Sequence, residues 1–357
     1  HASMRNHVGT LVGTDDLGDL VLDLLTGSLA PSTYNNYGTG MRRFTVFCNE
    51  EGITPLEATA ADMLRFTAWL ARSGTIAANS LQPYFSAINK FFRDHLKEPV
   101  ALGPLLTDAR RGLAMQQQPI TAPDIRVPLP APIVQQMLLF AHRHYRALTW
   151  QPGNLVHIKT FRAMLAVCTN YCYFCRAETG VRCHMDDIAV DRTGGNILLF
   201  VRKSKGDQRR TAADKPLLQL PITAVPLLAD LLEAFTAGRT SYCNILGTGS
   251  GPTAFWAVTP EEQPHTWTAG TITEWIREAC NTIGASPPTQ FKWTSHSLRK
   301  GAASAAACIG APLTKIRYMG GWSKTSDVVT GKYIDPTMSE TPAAWLFFGW
   351  LVAKPPD

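Results

Sequence analysis

Apolar residues recur at helical spacing from Ser32 to about Arg111, and that rhythm predicts four helices. Tyr34, Tyr37, Met41, Phe44 and Phe47 form the first stripe, capped by Ser32 or Thr33 and stopped at Gly52. Met63, Leu64, Phe66, Trp69 and Leu70 form a second, from about Thr59 to Ala71. Phe85, Ile88, Phe91 and Phe92 mark a third from Ala78 to about His95, and a fourth runs from Pro104 to Met115. Ahead of them, residues 13–29 read as a short amphipathic helix with an acidic side and a Leu/Val side. It either packs on its own domain or docks on a neighbouring protomer. The rhythm then fails: QQQPITAPDIRVPLPAP (116–132) is rich in proline and reads as an extended linker and domain boundary.

Beyond the linker, helices are predicted at about 132–146 and 153–176. The period then changes, and DIAV, NILLFVR and PLLQLPI read as three short strands, broken at Thr193-Gly194-Gly195 and at Lys205-Gly206-Asp207. Helices return at about 222–237, 268–283 and 295–309, with Gly310 as a stop and Pro312 as a restart. The expected fold class is mainly α with a small antiparallel β-sheet in the second domain. The expected division is a tag remnant and acidic arm (1–31), a helical domain (32–116), a linker (117–130), a mixed domain (131–335) and an apolar C-terminal helix (336–357).

Composition narrows the function classes. A chain of 357 residues with 45% hydrophobic and 17% charged residues folds and has room for two cores. The net charge of +6 is uneven: residues 1–27 carry −3, which leaves +9 for the rest. A basic body suits a polyanionic partner. No apolar run reaches the length of a membrane span, no signal peptide is visible, and His1-Ala2-Ser3 ahead of Met4 reads as a tag remnant. Eight irregularly placed cysteines favour a reducing compartment. Cys168, Cys172 and Cys175 fall at i, i+4 and i+7, one face of a helix, where thiols pack as small hydrophobes; the alternative is a zinc site with Cys183 and His184. The expectation is no metal and no cofactor.

Candidate chemistry concentrates in SHSLRKGAASAAACIGAPLTKIRYMGGWSKTSDVVTGKYID, residues 295–335. His296 and Arg299 share a helical face. A run of small residues follows, then Gly320-Gly321-Trp322 at an interval of 23 from Arg299, then Tyr333, 11 residues past Trp322. This order resembles the tyrosine recombinase (phage integrase-like) family. The 23-residue interval is similar to that of Cre-like recombinases, in which tryptophan replaces the more common second histidine. TYNNYGTGMRRFTVFCNEEGI (33–53) also resembles the opening helix of the family's core-binding domain.

The resemblance implies a two-domain architecture clamping duplex DNA at specific recombination sites, as a homo-oligomer, a tetramer on DNA. It implies an intracellular enzyme with Tyr333 as nucleophile and His296, Arg299 and Trp322 around the scissile phosphate. The first family arginine falls at Arg176, 11 residues before Asp187, with Arg182 as the competitor. The glutamate usual three residues after that arginine is replaced by Thr179, with Glu178 one place earlier. The catalytic lysine, a general acid, falls at Lys205, with Lys203 as its rival. The Trp322–Tyr333 interval is two longer than usual, which lengthens the loop before the tyrosine helix. Tyr318 is expected in the core, and a structural role for Trp322 in a core is the alternative to a phosphate contact. Arg42, Arg43, Lys90, Arg93, Arg110, Arg111, Lys203, Arg209 and Arg210 are candidate phosphate contacts, against an ordinary solvated face. The apolar tail after Tyr333 either covers its own core or exchanges between protomers, and its aromatic density favours exchange. Two other functions share these residues: type IB topoisomerase relaxation, and DNA binding without catalysis.

Overall fold

The computed structural model describes residues 19–21, 24, 31–74, 76, 78–95, 97–100, 103–116, 125–202, 217–248 and 254–352. The chain divides into two compact units, residues 1–122 and 123–357. Residues 19–21 and 24 are helical; the rest of the acidic arm lies outside the described residues.

The first unit is helical: α1 (Pro31–Glu51), α2 (Ala60–Arg72), α3 (Leu81–Asp94) and α4 (Gly103–Gln116). Phe44, Phe47, Met63, Phe66, Leu70, Phe85, Ile88 and Phe92 face inward as their spacing requires. Phe44 and Phe66 meet edge-on at 5.3 Å, and Phe66 lies 6.2 Å from Phe85. A capping box starts α2: the Asp62 amide donates to Thr59 Oγ1 at 3.3 Å, and the Thr59 amide donates to Asp62 Oδ2 at 2.9 Å.

The second unit holds β1 (Ile125–Arg126), α5 (Ala131–Tyr145), α6 (Leu155–Cys172), α7 (Ala177–Val181), β2 (Ile188–Asp191), β3 (Asn196–Phe200) and β4 (Leu217–Pro221). It continues with α8 (Pro226–Ile245), α9 (Ala269–Thr282), β5 (Phe291–Lys292), α10 (Ser295–Cys308), α11 (Leu313–Gly320) and α12 (Pro342–Phe348). Strands β2, β3 and β4 form an antiparallel meander, with Ile188 opposite Leu199 and Ile197 opposite Leu220. The end of the sequence read as linker is tied down, because β1 pairs in parallel with β5.

Helix α6 is the axis of this unit, buried at every residue from Thr160 to Cys172. Helix α10 lies against it. Its small residues are explained at Gly301, where a Cβ would collide with the Leu129 carbonyl. Helix α6 stops at Cys172 rather than near 176, so Cys175 lies past its end and does not continue the face of Cys168 and Cys172. Burial raises the pKa of all three thiols, and the Cys168 thiol points to the Val134 carbonyl. Among the described residues no His/Cys/Asp/Glu group is arranged to hold a metal, and no helix is long and apolar enough to cross a membrane.

In this chain α12 packs on its own unit: Phe347 and Phe348 lie 5.9 and 5.7 Å from Tyr171, and Phe348 lies 5.0 Å from Phe174. The aromatic rings of α6 and of the turn after it supply an apolar face for α12 within one chain. Trp345 remains 47% exposed.

Candidate active site

Helix ends and turns bring Arg299, Trp322 and Tyr333 together. After α6 the chain reverses through Phe174 at φ 52°. The Phe174 amide donates to the Tyr171 carbonyl (3.1 Å) and the Cys175 amide to the Asn170 carbonyl (2.9 Å). These are the paired bonds of a Schellman ending, with phenylalanine where glycine usually stands. The left-handed backbone costs about 1–2 kcal/mol for a residue with a Cβ, and burial of the ring against Phe348 offsets it. The turn aims the Phe174 carbonyl at α10 and delivers Arg176, half-buried, to the N-terminus of α7.

Arg299 sits on α10 and is 3% exposed. Its Nη1 donates to the Phe174 carbonyl at 2.9 Å, and its Nη2 donates to the Gly320 carbonyl. The guanidinium lies 3.7 Å from the Trp322 ring centroid and 5.3 Å from that of Tyr333, and the two rings meet edge-on at 5.0 Å. Burial lowers the Arg299 pKa to about 10, and the nearby charge of Arg176 adds to the shift. The group therefore remains a cation at neutral pH. Among the described residues no carboxylate pairs with it, and its Nε is buried without a hydrogen-bond partner.

Trp322 reaches this stack through a second Schellman ending. Gly321 takes φ 59° at the end of α11, its amide donates to the Tyr318 carbonyl, and the Trp322 amide donates to the Arg317 carbonyl. The indole folds back over Gly320, where a Cβ would fall inside the ring. Gly320→Ala is therefore expected to displace the indole from Arg299. A loss of about 1–3 kcal/mol in urea unfolding, with a shifted Trp322 indole NMR signal, is the expected result.

Tyr333 is half-buried and ends a short π-helical turn, Val329–Tyr333, closed by the Ile334 amide on the Val329 carbonyl at 3.0 Å. A single wide turn thus stands where a tyrosine helix was expected. Such turns are rare and collect at functional sites. The loop before it is held by Arg317, whose Nη2 donates to the Ser326 carbonyl at 3.1 Å.

Other placements differ in kind. His296 is exposed on the first turn of α10, three residues before Arg299. Arg182 donates from Nε and Nη2 to the Trp267 carbonyl at 3.0 and 2.8 Å. Glu178 is exposed. Tyr318, expected in the core, is 60% exposed, because α11 turns Ile316, Met319 and Gly320 inward and leaves position 318 on the opposite side. Lys203, Lys205, Arg209 and Arg210 lie outside the described residues. In the first unit Arg42, Arg93 and Arg111 are exposed, while Arg43 and Arg110 are half-buried. Arg42 donates to Thr39 Oγ1, Lys90 pairs with Asp94 at 2.7 Å, and Arg111 lies 4.0 Å from Asp108.

Sequence reasoning missed Phe174 and Ser304. Nothing local marks a phenylalanine for the left-handed region. Ser304 had one available signal, a lone hydroxyl in the buried run Gly301–Ala306.

Residues 20–102 match the family described as phage integrase, N-terminal SAM-like domain. No curated protein matches the sequence. Among solved structures, the XerH site-specific recombinase bound to palindromic difH substrate, a post-cleavage complex, is similar with a TM-score of 0.54 at 10% identity, covering 88% of this chain and 76% of that one. The XerH pre-cleavage complex gives 0.50 at 11% identity, over 88% and 74%. A lambda integrase(75-356) dimer bound to a COC′ core site gives 0.49 at 16% identity, over 96% and 97%. The chain carries a phage integrase N-terminal domain and has the fold of the tyrosine recombinases.

Proposed function

We propose that this chain is a site-specific DNA recombinase that cleaves and rejoins strands through a 3′-phosphotyrosyl intermediate on Tyr333. The observation that carries the reading is the Arg299 guanidinium: buried, cationic, without a carboxylate partner among the described residues, 3.7 Å from the Trp322 ring and 5.3 Å from the Tyr333 ring. A buried cation is costly until an anion joins it, and a phosphodiester offers a planar fork matching oxygens.

In the proposed reaction the Tyr333 phenol releases its proton to solvent as its oxygen attacks phosphorus, and the P–O5′ bond breaks. The departing 5′-oxygen takes a proton, for which Lys205 is the assigned acid. A 5′-hydroxyl then attacks the phosphotyrosyl bond and restores the phenol. One phosphoester is exchanged for another at each step, so no ATP is consumed. Arg299 and Arg176 stabilise the extra charge of the five-coordinate phosphorus, and His296 and the Trp322 indole N–H serve as donors to the same oxygens. The helical unit would hold the duplex through Arg42, Arg43, Arg93, Arg110 and Arg111, with Lys90 released from Asp94 or left as structure. Assembly as a tetramer on DNA belongs to the same reading. XerH was solved on its difH substrate after cleavage, a state this chain would share.

The test begins with binding sites selected from a random duplex pool. Nicked suicide duplexes built on the selected site should trap a denaturation-resistant protein–DNA adduct. Failure to trap one would overturn the reading in favour of DNA binding without catalysis. A plasmid with two copies of the site then separates the enzyme classes. Recombinant products are expected, and relaxation alone would make the chain a type IB topoisomerase.

A further inference from the structure

The segment that carries Tyr333 is fastened immediately after the tyrosine by helix α10, the helix that carries Arg299. Ser304 is 1% exposed, and its hydroxyl bridges two backbone groups. It donates to the Tyr333 carbonyl at 3.0 Å and accepts from the Asp335 amide at 2.8 Å. One turn earlier on α10, Lys300 Nζ lies 3.4 Å from Asp335 Oδ2. Asp335 Oδ1 also accepts from the Thr337 amide (3.1 Å) and hydroxyl (2.7 Å). These bonds, with the Lys300 charge, hold the Asp335 carboxyl below the usual carboxylate range, so it is ionised at neutral pH. At the other end of the wide turn, Val329 is fully buried. The phenol and the guanidinium thus take their separation from one rigid element.

We propose that Ser304, aided by the Lys300–Asp335 pair, is a positioning latch that sets the Tyr333 ring against Arg299 and Trp322 within its own chain. The proposal rests on the assignment of Tyr333 as the nucleophile. Ser304 touches no substrate in this role; it acts through the backbone on either side of residue 334. Ser304→Ala fills nearly the same space and removes only the bridge, leaving the part-buried Tyr333 carbonyl and Asp335 amide without this partner.

Two readouts test the latch on the full chain. In Ser304→Ala, amide hydrogen exchange over residues 329–337 should quicken while other segments keep the wild-type rate. In preformed complexes on suicide DNA, single-turnover adduct formation should fall about ten- to hundredfold, as for a misplaced reacting group, with DNA affinity unchanged. A duplex carrying sulfur in place of the departing 5′-oxygen needs no proton donor. It should remain slow in the variant, which marks a defect in attack. Asp335→Asn keeps the amide bond to Ser304 and loses the ion pair, so a fall of about two- to fivefold is expected. That variant also serves if Ser304→Ala does not fold. Unchanged exchange, or cleavage at the wild-type rate, would overturn the latch. If the wild-type chain forms no adduct, the nucleophile assignment has failed instead, and the exchange measurement still judges whether Ser304 fastens this segment.

Discussion

Tyr333→Phe should abolish the covalent protein–DNA adduct and leave folding and DNA affinity nearly intact. The reason is geometric. The Tyr333 ring meets Trp322 edge-on at 5.0 Å and lies 5.3 Å from the Arg299 guanidinium, and both contacts belong to the ring rather than to its hydroxyl. Phenylalanine keeps them and removes only the oxygen that would become the phosphoester. The latch beyond the ring also survives, because it grips backbone at positions 333 and 335. Suicide-duplex trapping and a binding titration are the two measurements. A surviving adduct would move the nucleophile elsewhere, and Tyr318, 60% exposed on α11, would be the next tyrosine to test.

Arg299→Ala should reduce cleavage by about a hundredfold or more, the scale of losing a transition-state donor. It should also cost stability, because the Phe174 and Gly320 carbonyls lose their donors and the site is buried. Arg299→Lys separates the two effects. A lysine keeps the charge but has no planar fork to span two carbonyls and a phosphate. Single-turnover cleavage is therefore expected to stay strongly impaired in the lysine variant while the unfolding midpoint recovers most of the way. In the wild type, the Arg299 pKa is lowered from the ordinary arginine value to about 10 by burial and then by Arg176. The folded state disfavours this proton, so the cation costs folding free energy below about pH 10, and that cost fades as pH rises through the folded value. Anion binding has the opposite sign. An oligonucleotide carrying the selected site should stabilise the protein most below pH 10, and progressively less above it. A titration of the unfolding midpoint with and without DNA checks this, and equal stabilisation across pH 8–11 would count against Arg299 as the phosphate partner.

What one or two helical turns of neighbours decide was legible in the amino-acid order. The stripes of the first unit, the three strands 188–191, 196–200 and 217–221, and the Gly310–Pro312 break between α10 and α11 follow from periodicity and from residues that tolerate particular backbone angles. Other features depend on groups far apart along the chain. Arg299 finds its acceptor 125 residues away at a phenylalanine held at positive φ, which no local rule predicts. Arg182 finds its acceptor 85 residues away, Tyr318 is left outside when Ile316 and Met319 turn inward, and α12 closes on Tyr171 in its own chain. Local conformation is a contest among neighbours, so the sequence by itself determined the elements and the order of the candidate chemistry. Which polar group is buried, and what answers it there, is settled by surfaces that meet only after folding, so only the tertiary structure decided the guanidinium's partners and the hold on the tyrosine.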